Sequence, residues 1–475
     1  MSTAALPLPQ RRVQLLGLGW WITFAGALLV GIKFSWMAAV GVIAFAIIQR
    51  ARPLDFLLSY LIVVADATNM DYYTGRLTAL MTIFSGLLVF SLLCYLLSRR
   101  QDALTFPITP AFRPLLLYLA LTLFNFVRGL AVGNKPTYAG LELIAALGLG
   151  TCLIVGSRRL TEREIMSTVL WLWVVGLGHF VRGVQIYAIE HIRVGGLYFE
   201  PVTGLIAVLM FNFALREPKR SRATLWVLAM APLLFHQFMS FTRGFWLALA
   251  VSIPFSVVAY GGRGRAAGAR WRQSGFVLGT MLTFAVTAAV VMATALGFGN
   301  IGEIAAGRFS SSFATKYDSD SLSNFVRLGE YLNVIGHILQ KPWFGHGLGF
   351  AFVTREAINF KLITQWFTHD NYLLVTLKQG LLGLALWIWL MIACLRTALK
   401  GRDLPNRIEQ SWCMGTAAMV LYIIVYQSVA FPMAEVNSVF TIALGLGVTM
   451  AMTRTGTFAI RWKAPEAPAA PPVSA

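Results

Sequence analysis

A short polar segment, Thr368-His369-Asp370-Asn371, lies directly before an apolar run long enough to cross a membrane. The chain has only six histidines, so a histidine beside a carboxylate at such a boundary is a candidate for proton transfer. A neutral imidazole at this position can accept a proton from an incoming hydroxyl group. Asp370 and Asn371 can orient the imidazole or a substrate, or they can cap the helix that follows. The local sequence is consistent with both interpretations.

Arginines form the second group of residues that could do chemistry. A guanidinium at membrane depth costs at least about 2–3 kcal/mol unless it is paired, so each arginine at the end of an apolar run needs a partner. Arginine binds phosphate oxygens through two parallel hydrogen bonds, and the group as a whole predicts a site for an anion such as a lipid-linked pyrophosphate. The residues concerned are Arg128, Arg182, Arg193, Arg243 and Arg327.

The elements that must position these residues are membrane helices. The chain is 57% hydrophobic and only 12% charged over 475 residues. Since backbone groups in lipid must be hydrogen-bonded within the protein, the predicted fold class is an all-α polytopic integral membrane protein. Two runs are short, so twelve full spans plus a re-entrant or interfacial hairpin fit as well as fourteen spans. The runs lie near 13–32, 35–48, 54–67, 78–97, 113–131, 139–156, 167–187, 196–215, 224–241, 244–261, 274–299, 371–395, 412–430 and 434–452.

The net charge of +19 is explained by topology. Twenty-five of the 39 lysines and arginines lie near the two termini and in alternate loops, and the positive-inside rule places these segments in the cytoplasm. Nucleic acid binding is therefore not predicted. His369 and the five arginines then fall at the outer ends of the spans. The four cysteines and the histidines lack the spacing of metal ligands, and neither a metal nor a cofactor is predicted.

This topology divides the chain into four parts. One long segment lies outside, and every other outer loop is short. The parts are N-terminal transmembrane helices (1–299), a long periplasmic loop (300–370), C-terminal transmembrane helices (371–452) and a disordered cytoplasmic tail (453–475).

The long loop is predicted to be partly helical. Residues 321–340 carry apolar residues at helical spacing and predict an amphipathic helix that lies on the outer membrane surface or on the bundle. The helix should end before Lys341-Pro342. Glu330 is one turn from Arg327, and an ion pair between the two is predicted.

Four stretches together resemble the O-antigen ligase family, whose relatives include O-antigen polymerases and protein O-oligosaccharyltransferases. They occur in order between about 190 and 385, and the first 180 residues resemble the family only in hydropathy. One departure is Asp370, where the family often has Asn, Ser or Gln after the histidine. The four stretches are Arg193–Pro201, Thr242–Leu247, Arg327 with Pro342–Gly347, and His369 with Gly380–Gly383.

The resemblance implies transfer of an O-antigen glycan from undecaprenyl pyrophosphate to a hydroxyl of lipid A–core, at the periplasmic face of the bacterial inner membrane. His369 would be the general base, with Arg193 and Arg243 holding the pyrophosphate as the other catalytic residues. The reaction would need no metal and would invert the anomeric configuration. Further substrate-binding roles are implied for Arg327, Arg128, Arg182, Asp370 and Asn371.

Three alternatives stay open. An O-antigen polymerase would use the same donor with a second lipid-linked glycan as acceptor. A protein O-oligosaccharyltransferase should need a peptide groove and often carries a larger soluble region. The outer segment here spans only residues 300–370, which mildly disfavours this alternative. A transporter or lipid flippase predicts ionisable residues near mid-membrane and broken helices, whereas the charges here gather at the outer ends of the spans.

Overall fold

The computed structural model describes residues 104–157, 160–190, 201–240, 242–262, 267–295, 319–355, 362–428 and 436–460. The four apolar runs predicted before residue 100 lie outside these ranges, so the choice between twelve and fourteen spans stays a prediction. Arg193 and residues 461–475 of the predicted tail (453–475) also lie outside the described residues, whereas Gly456–Ile460 of that tail form a strand. Arg182 belongs to a described helix, but its side chain is not described.

Eleven α-helices and two small sheets make up the described part of the chain. Strand β1 pairs with β4 and strand β2 with β3, both antiparallel. The elements are β1 (Leu104–Ile108), α1 (Phe112–Ala131), α2 (Pro136–Gly156), α3 (Glu162–Glu190), α4 (Val202–Arg216), α5 (Arg220–Met239), α6 (Arg243–Gly261), α7 (Ala267–Ala295), α8 (Ser319–Gln340), β2 (Phe352–Arg355), β3 (Leu362–Gln365), α9 (Asn371–Leu399), a 3-10 helix (Lys400–Asp403), α10 (Arg407–Tyr426), α11 (Val436–Thr453) and β4 (Gly456–Ile460).

Six of the described helices are long and apolar enough to cross a membrane. They are α1, α2, the first part of α3, α6, α9 with the 3-10 helix, and α10, while α4 and most of α11 are shorter apolar helices. The predicted all-α polytopic membrane fold is therefore confirmed. Each predicted run after residue 100 coincides with one of these elements or with α5 or α7, and the helix predicted at 321–340 is α8.

The core of the bundle is built around α4. Every residue of α4 is buried, and the helix packs against α5, α6 and α10. Small residues allow helices to approach closely where side chains would keep them apart. A methyl group added at Gly447 of α11, for example, would lie 2.6 Å from the Val155 side chain of α2.

The connections predicted to be cytoplasmic meet at one end of the bundle. Arg407 Nη1 lies 3.0 Å from Glu217 Oε1, which joins the α9–α10 and α4–α5 connections. Asn406 Nδ2 donates to Glu162 Oε1 at the start of α3. Gly262, after α6, lies beside the guanidinium of Arg402. We refer to this end as the basic end.

One predicted span differs from the observed helix. Gly380 has φ 73° and ψ −173°, which divides α9 into residues 371–379 and 381–399. A methyl group at this glycine would lie 2.2 Å from the carbonyl oxygen of Trp343, so the close approach of that carbonyl requires glycine here. The first segment is buried from Leu374 onward, and exposed apolar residues begin at Leu381.

Candidate active site

The centre of the site is His369, which Glu330 of α8 holds just before α9. The Nδ1–H of His369 donates to Glu330 Oε2 at 2.8 Å, and its backbone N–H donates to Glu330 Oε1 at 2.9 Å. The Glu330 side chain is 4% exposed and that of His369 is 36% exposed. Because a carboxylate faces Nδ1, the neutral imidazole carries its proton there and Nε2 is the basic nitrogen. A carboxylate orients a histidine general base in this way.

The carboxylate of Glu330 is ionised at neutral pH. Burial by itself raises the pKa of this group, but the hydrogen bonds and the charge of His369 outweigh burial, so the pKa lies below its ordinary value. An ionised carboxylate only accepts hydrogen bonds. Its negative charge also stabilises the imidazolium that forms when His369 takes up a proton.

Glu330 pairs with His369 in place of the predicted partner, Arg327. Both carboxylate oxygens bond to His369, although Arg327 is only one turn away on the same helix. Arg327 is partly exposed, and its charge acts on Tyr331: burial raises the pKa of the Tyr331 hydroxyl, and Arg327 opposes this. The sequence favoured the pair of Glu330 with Arg327 because these residues are one helical turn apart. No sequence pattern indicated the contact of Glu330 with His369, which is 39 positions away.

Asp370 caps α9, as one of the two interpretations predicted. Its Oδ1 accepts the backbone N–H of Leu373 at 2.9 Å, and burial raises the pKa of its carboxyl. Any role of Asp370 in binding substrate stays a prediction.

Asn371 lies between the start of α9 and the end of α10. Its backbone N–H donates to the carbonyl of Gln427 at 2.9 Å. The side chain is fully buried, and neither atom of its amide has a hydrogen-bond partner among the described residues. The amide lines a cavity of about 40 Å³, together with Glu142 and Lys378. Its predicted contact with substrate stays a prediction.

Arg243 begins α6 at the same end of the bundle as His369. Two residues further on, Phe245 stacks on Tyr426 with ring centroids 4.7 Å apart. The residue after Tyr426, Gln427, accepts the N–H of Asn371. The start of α6, the end of α10 and the start of α9 therefore meet, which brings two of the predicted catalytic residues to one end of the bundle, opposite the basic end.

Arg128 binds the turn that follows α8. Its Nη2 donates to the carbonyls of Phe344 and Gly345, the second at 2.9 Å, and to Asn125 Oδ1 at 2.8 Å. These contacts hold the turn against α1. A direct contact of Arg128 with substrate stays a prediction.

The turn itself, residues 341–349, is inserted between α1, α2 and α9. The N–H groups of His346 and Gly347 donate to the carbonyls of Leu377 and Lys378, each at 2.9 Å. Gly345 has φ 64°, and a methyl group there would lie 2.5 Å from the backbone carbon of Lys378. The glycine-rich turn thus fits against the first segment of α9, which follows His369.

Substituting Gly345 by alanine is expected to destabilise the protein by on the order of 1–3 kcal/mol, because the positive φ and the contact with Lys378 both oppose a side chain. The midpoint of thermal unfolding in detergent should fall. Alanine at Gly336, which has φ in the helical range and open space around it, is the matched control and should raise or preserve the midpoint. Equal midpoints for Gly345→Ala and the wild type would contradict this view of the turn.

A buried ion pair, which the sequence did not predict, fastens the turn to the bundle. Lys378 Nζ lies 2.6 Å from Glu142 Oε1 and donates to the carbonyl of Phe350 at 2.6 Å. Glu142 Oε2 accepts the N–H of Gly349 at 2.8 Å. Helices α2 and α9 and the turn are joined through these groups. Among the described residues, no group of three or more His, Cys, Asp or Glu side chains is arranged to hold a metal ion.

The fold and this site define an integral membrane protein with a histidine–carboxylate pair and an arginine at one end of its helical bundle. Residues 228–388 match the model of the O-antigen ligase family. This match confirms the resemblance for three of the four stretches, whereas Arg193–Pro201 precedes the matched segment. The matched segment contains Arg243, Arg327, Glu330 and His369. Comparisons with curated proteins and with solved structures give no significant match.

The family match supports a membrane glycosyl-transfer role. It implies a lipid-linked glycan as the kind of donor and a lipid as the kind of acceptor. It does not distinguish the ligase branch from the polymerase branch.

Proposed function

We propose that the protein transfers a glycan from undecaprenyl pyrophosphate to a hydroxyl group of lipid A–core. The observation that supports this most is the double hydrogen bond from His369 to the ionised Glu330. It orients a partly exposed imidazole with Nε2 as its basic nitrogen. The site lies within the segment that matches the O-antigen ligase family.

The proposed reaction is a single displacement. The acceptor hydroxyl gives its proton to Nε2 of His369, and its oxygen forms a bond with the anomeric carbon of the glycan. The bond between that carbon and the pyrophosphate oxygen breaks, and undecaprenyl pyrophosphate leaves with the electron pair. Attack opposite the leaving group inverts the anomeric configuration. Glu330 stabilises the imidazolium by its charge.

Arginines are proposed to stabilise the leaving group. Arg243 lies at the same end of the bundle as His369, Arg193 precedes α4 in the chain, and Arg327 is on the helix that carries Glu330. Guanidinium groups bind both phosphates of a pyrophosphate and meet the charge that develops on it. In this proposal arginines take the role that a metal ion has in many glycosyltransferases.

We place the site on the periplasmic side of the bacterial inner membrane, with both termini in the cytoplasm. The support is the separation of charges: the basic end gathers the connections rich in lysine and arginine, and His369 lies at the opposite end. The positive-inside rule assigns the basic end to the cytoplasm. A donor carried in the outer leaflet would then present its pyrophosphate at the level of the site.

A transporter or lipid flippase is the second candidate. Such a protein is expected to have ionisable residues near mid-membrane and broken helices, and α9 is broken at Gly380 beside the buried Lys378–Glu142 pair. The break and the ion pair each have a local structural explanation. The carbonyl of Trp343 packs against Gly380, and the Lys378–Glu142 pair binds the turn. An O-antigen polymerase would share the whole mechanism and differ in its acceptor.

A reconstitution separates these functions. Purified protein in liposomes is mixed with undecaprenyl-pyrophosphate-linked glycan and lipid A–core, with EDTA present, and the wild type is compared with Arg243→Ala. Transfer to lipid A–core by the wild type and its loss in the variant would support the ligase. Arg113→Ala, which removes an exposed arginine at the start of α1, is the matched control and should retain activity.

The other outcomes are equally informative. Lengthening of the lipid-linked glycan without transfer to lipid A–core would replace the ligase by the polymerase. Movement of the lipid-linked donor between leaflets, without any change in the glycan, would favour the flippase. Transfer that stops with EDTA and returns with a divalent cation would contradict the metal-independent mechanism.

A further inference from the structure

We infer that α8 and the turn at 341–349 form a re-entrant element, which enters the membrane from the end of the bundle that carries His369 and contacts lipid chains. The first observation is the exposed surface of α8. The side chains exposed between residues 328 and 339 are all apolar: Leu328 is 54% exposed, Leu332 63%, Ile335 41% and Leu339 72%. The other exposed positions in this stretch are glycines. A helix in water would carry polar residues on this face.

The direction of α8 is the second observation. Glu330 bonds to His369, and Val334 and Ile338, further along α8, belong to one core cluster with Leu373 and Leu377. Just after α8, the carbonyl of Pro342 accepts the N–H of Leu381, so α8 runs alongside the first segment of α9. It therefore leads from the level of His369 towards the level of Gly380, and does not lie across the end of the bundle.

The lengths of the neighbouring helices give the depth. Helix α10 has 20 residues, about 30 Å, and joins the basic end to Asn371, so His369 lies about one membrane thickness from that end. The turn reaches further in, because Phe344 contacts Phe124 with ring centroids 6.1 Å apart. Phe124 lies seven residues before the end of α1 at Ala131, or about 10 Å along the helix axis.

The four exposed apolar residues of α8 form a stripe, and this stripe is continuous with the exposed apolar surface of the spans. At the level of Phe344, helix α1 exposes Phe124 (52%) and Val127 (60%), and α9 exposes Leu381 (43%). Both helices are candidate membrane spans. Lipid chains that cover these residues would also cover the exposed apolar residues of α8.

Non-helical backbone can lie at membrane depth only where neighbouring parts of the protein form hydrogen bonds with its N–H and C=O groups. The backbone of the turn meets this condition. The carbonyls of Pro342 and Trp343 accept the N–H groups of Leu381 and Leu382. The next two carbonyls accept from Arg128, and the N–H groups of residues 346–349 all donate to α1, α2 or α9. A loop in water would not need so many of these bonds to the neighbouring helices.

The tip of the element exposes a large apolar side chain beside two polar ones. Trp343 is 69% exposed. Gln340 and Lys341 are the exposed polar residues next to it, and the long stem of lysine can bring its charge to the headgroups. The partner of this surface is therefore the lipid of the outer half of the bilayer, and the inference does not depend on which glycan is transferred.

Nitroxide scanning of the full-length protein in nanodiscs tests the inference. Single cysteines replace Leu328, Leu332, Ile335 or Leu339 in a Cys94→Ser background. The other native cysteines, Cys152, Cys394 and Cys413, are buried and should not be labelled. Collisions of the spin label with oxygen report contact with lipid chains, and collisions with a neutral nickel chelate report contact with water. We expect high oxygen and low nickel accessibility at all four positions, with depth increasing from Leu328 to Leu339.

Two results would overturn the inference. High nickel accessibility at all four positions would place the stripe in water. Lipid contact at one constant depth would describe a helix lying flat on the membrane surface. If a labelled variant does not fold, Trp343→Phe gives an independent reading: quenching of tryptophan fluorescence by brominated lipids should decrease relative to the wild type, and unchanged quenching would count against insertion of the tip.

Discussion

Replacing His369 by alanine is expected to lower the rate of glycan transfer by about 10²–10⁴-fold, the range over which a general base contributes. The lipid-linked donor should accumulate, because its binding to the arginines does not require the imidazole. The measurement is the initial rate of transfer to lipid A–core by reconstituted protein. Residual activity close to that of the wild type would remove His369 from the mechanism.

Glu330→Gln separates the positioning of His369 from its chemistry. Glutamine keeps the size of the side chain and an oxygen that can accept one hydrogen bond, but it lacks the negative charge. We expect a smaller loss than in His369→Ala, located mainly in kcat. A loss that lies in KM, with kcat unchanged, would contradict this role for Glu330.

Replacing Lys378 by methionine is expected to destabilise the protein by about 3–5 kcal/mol, because it leaves the buried carboxylate of Glu142 without its counter-ion. The double variant Lys378→Met/Glu142→Gln should recover most of that loss. It removes both charges, and the glutamine oxygen can still accept the N–H of Gly349. Unfolding midpoints of the two single variants and the double variant give the coupling between the residues.

The control for this cycle is Lys341→Met, which removes an exposed lysine and should change stability by no more than about 0.5 kcal/mol. Additive effects of the Lys378 and Glu142 substitutions would contradict the pair. If the pair holds the turn in place, Lys378→Met should also lower glycan transfer, since the turn packs on the segment of α9 that follows His369.

The broken helix links these predictions. The first segment of α9 begins after His369 and ends at Gly380, and the turn closes against that end. Lys378 and Arg128 hold the turn from two sides. The position of His369 therefore depends on Glu330 at one end of the segment and on the turn at the other.

The sequence by itself determined the class of fold and the positions of its helices. Membrane helices are recognised from length and hydropathy, which are local properties of the chain, and the alternation of basic loops correctly grouped the connections at one end. The sequence also pointed to His369 and Arg243, because arginine and histidine are conspicuous where most residues are apolar. The order of the four stretches indicated a resemblance to the O-antigen ligase family, whose model matches residues 228–388.

Only the tertiary structure decided which of these residues meet. The bond between Glu330 and His369, the pair of Lys378 with Glu142, and the break at Gly380 each depend on contacts between separate elements. In the sequence, Gly380 looks like any glycine in a transmembrane helix, and Glu330 has a nearer candidate partner in Arg327. The break exists because the carbonyl of Trp343 approaches α9, and Glu330 turns to His369 because α8 packs beside the start of α9. Such contacts arise from the packing of helices, which the hydropathy of any one segment does not encode.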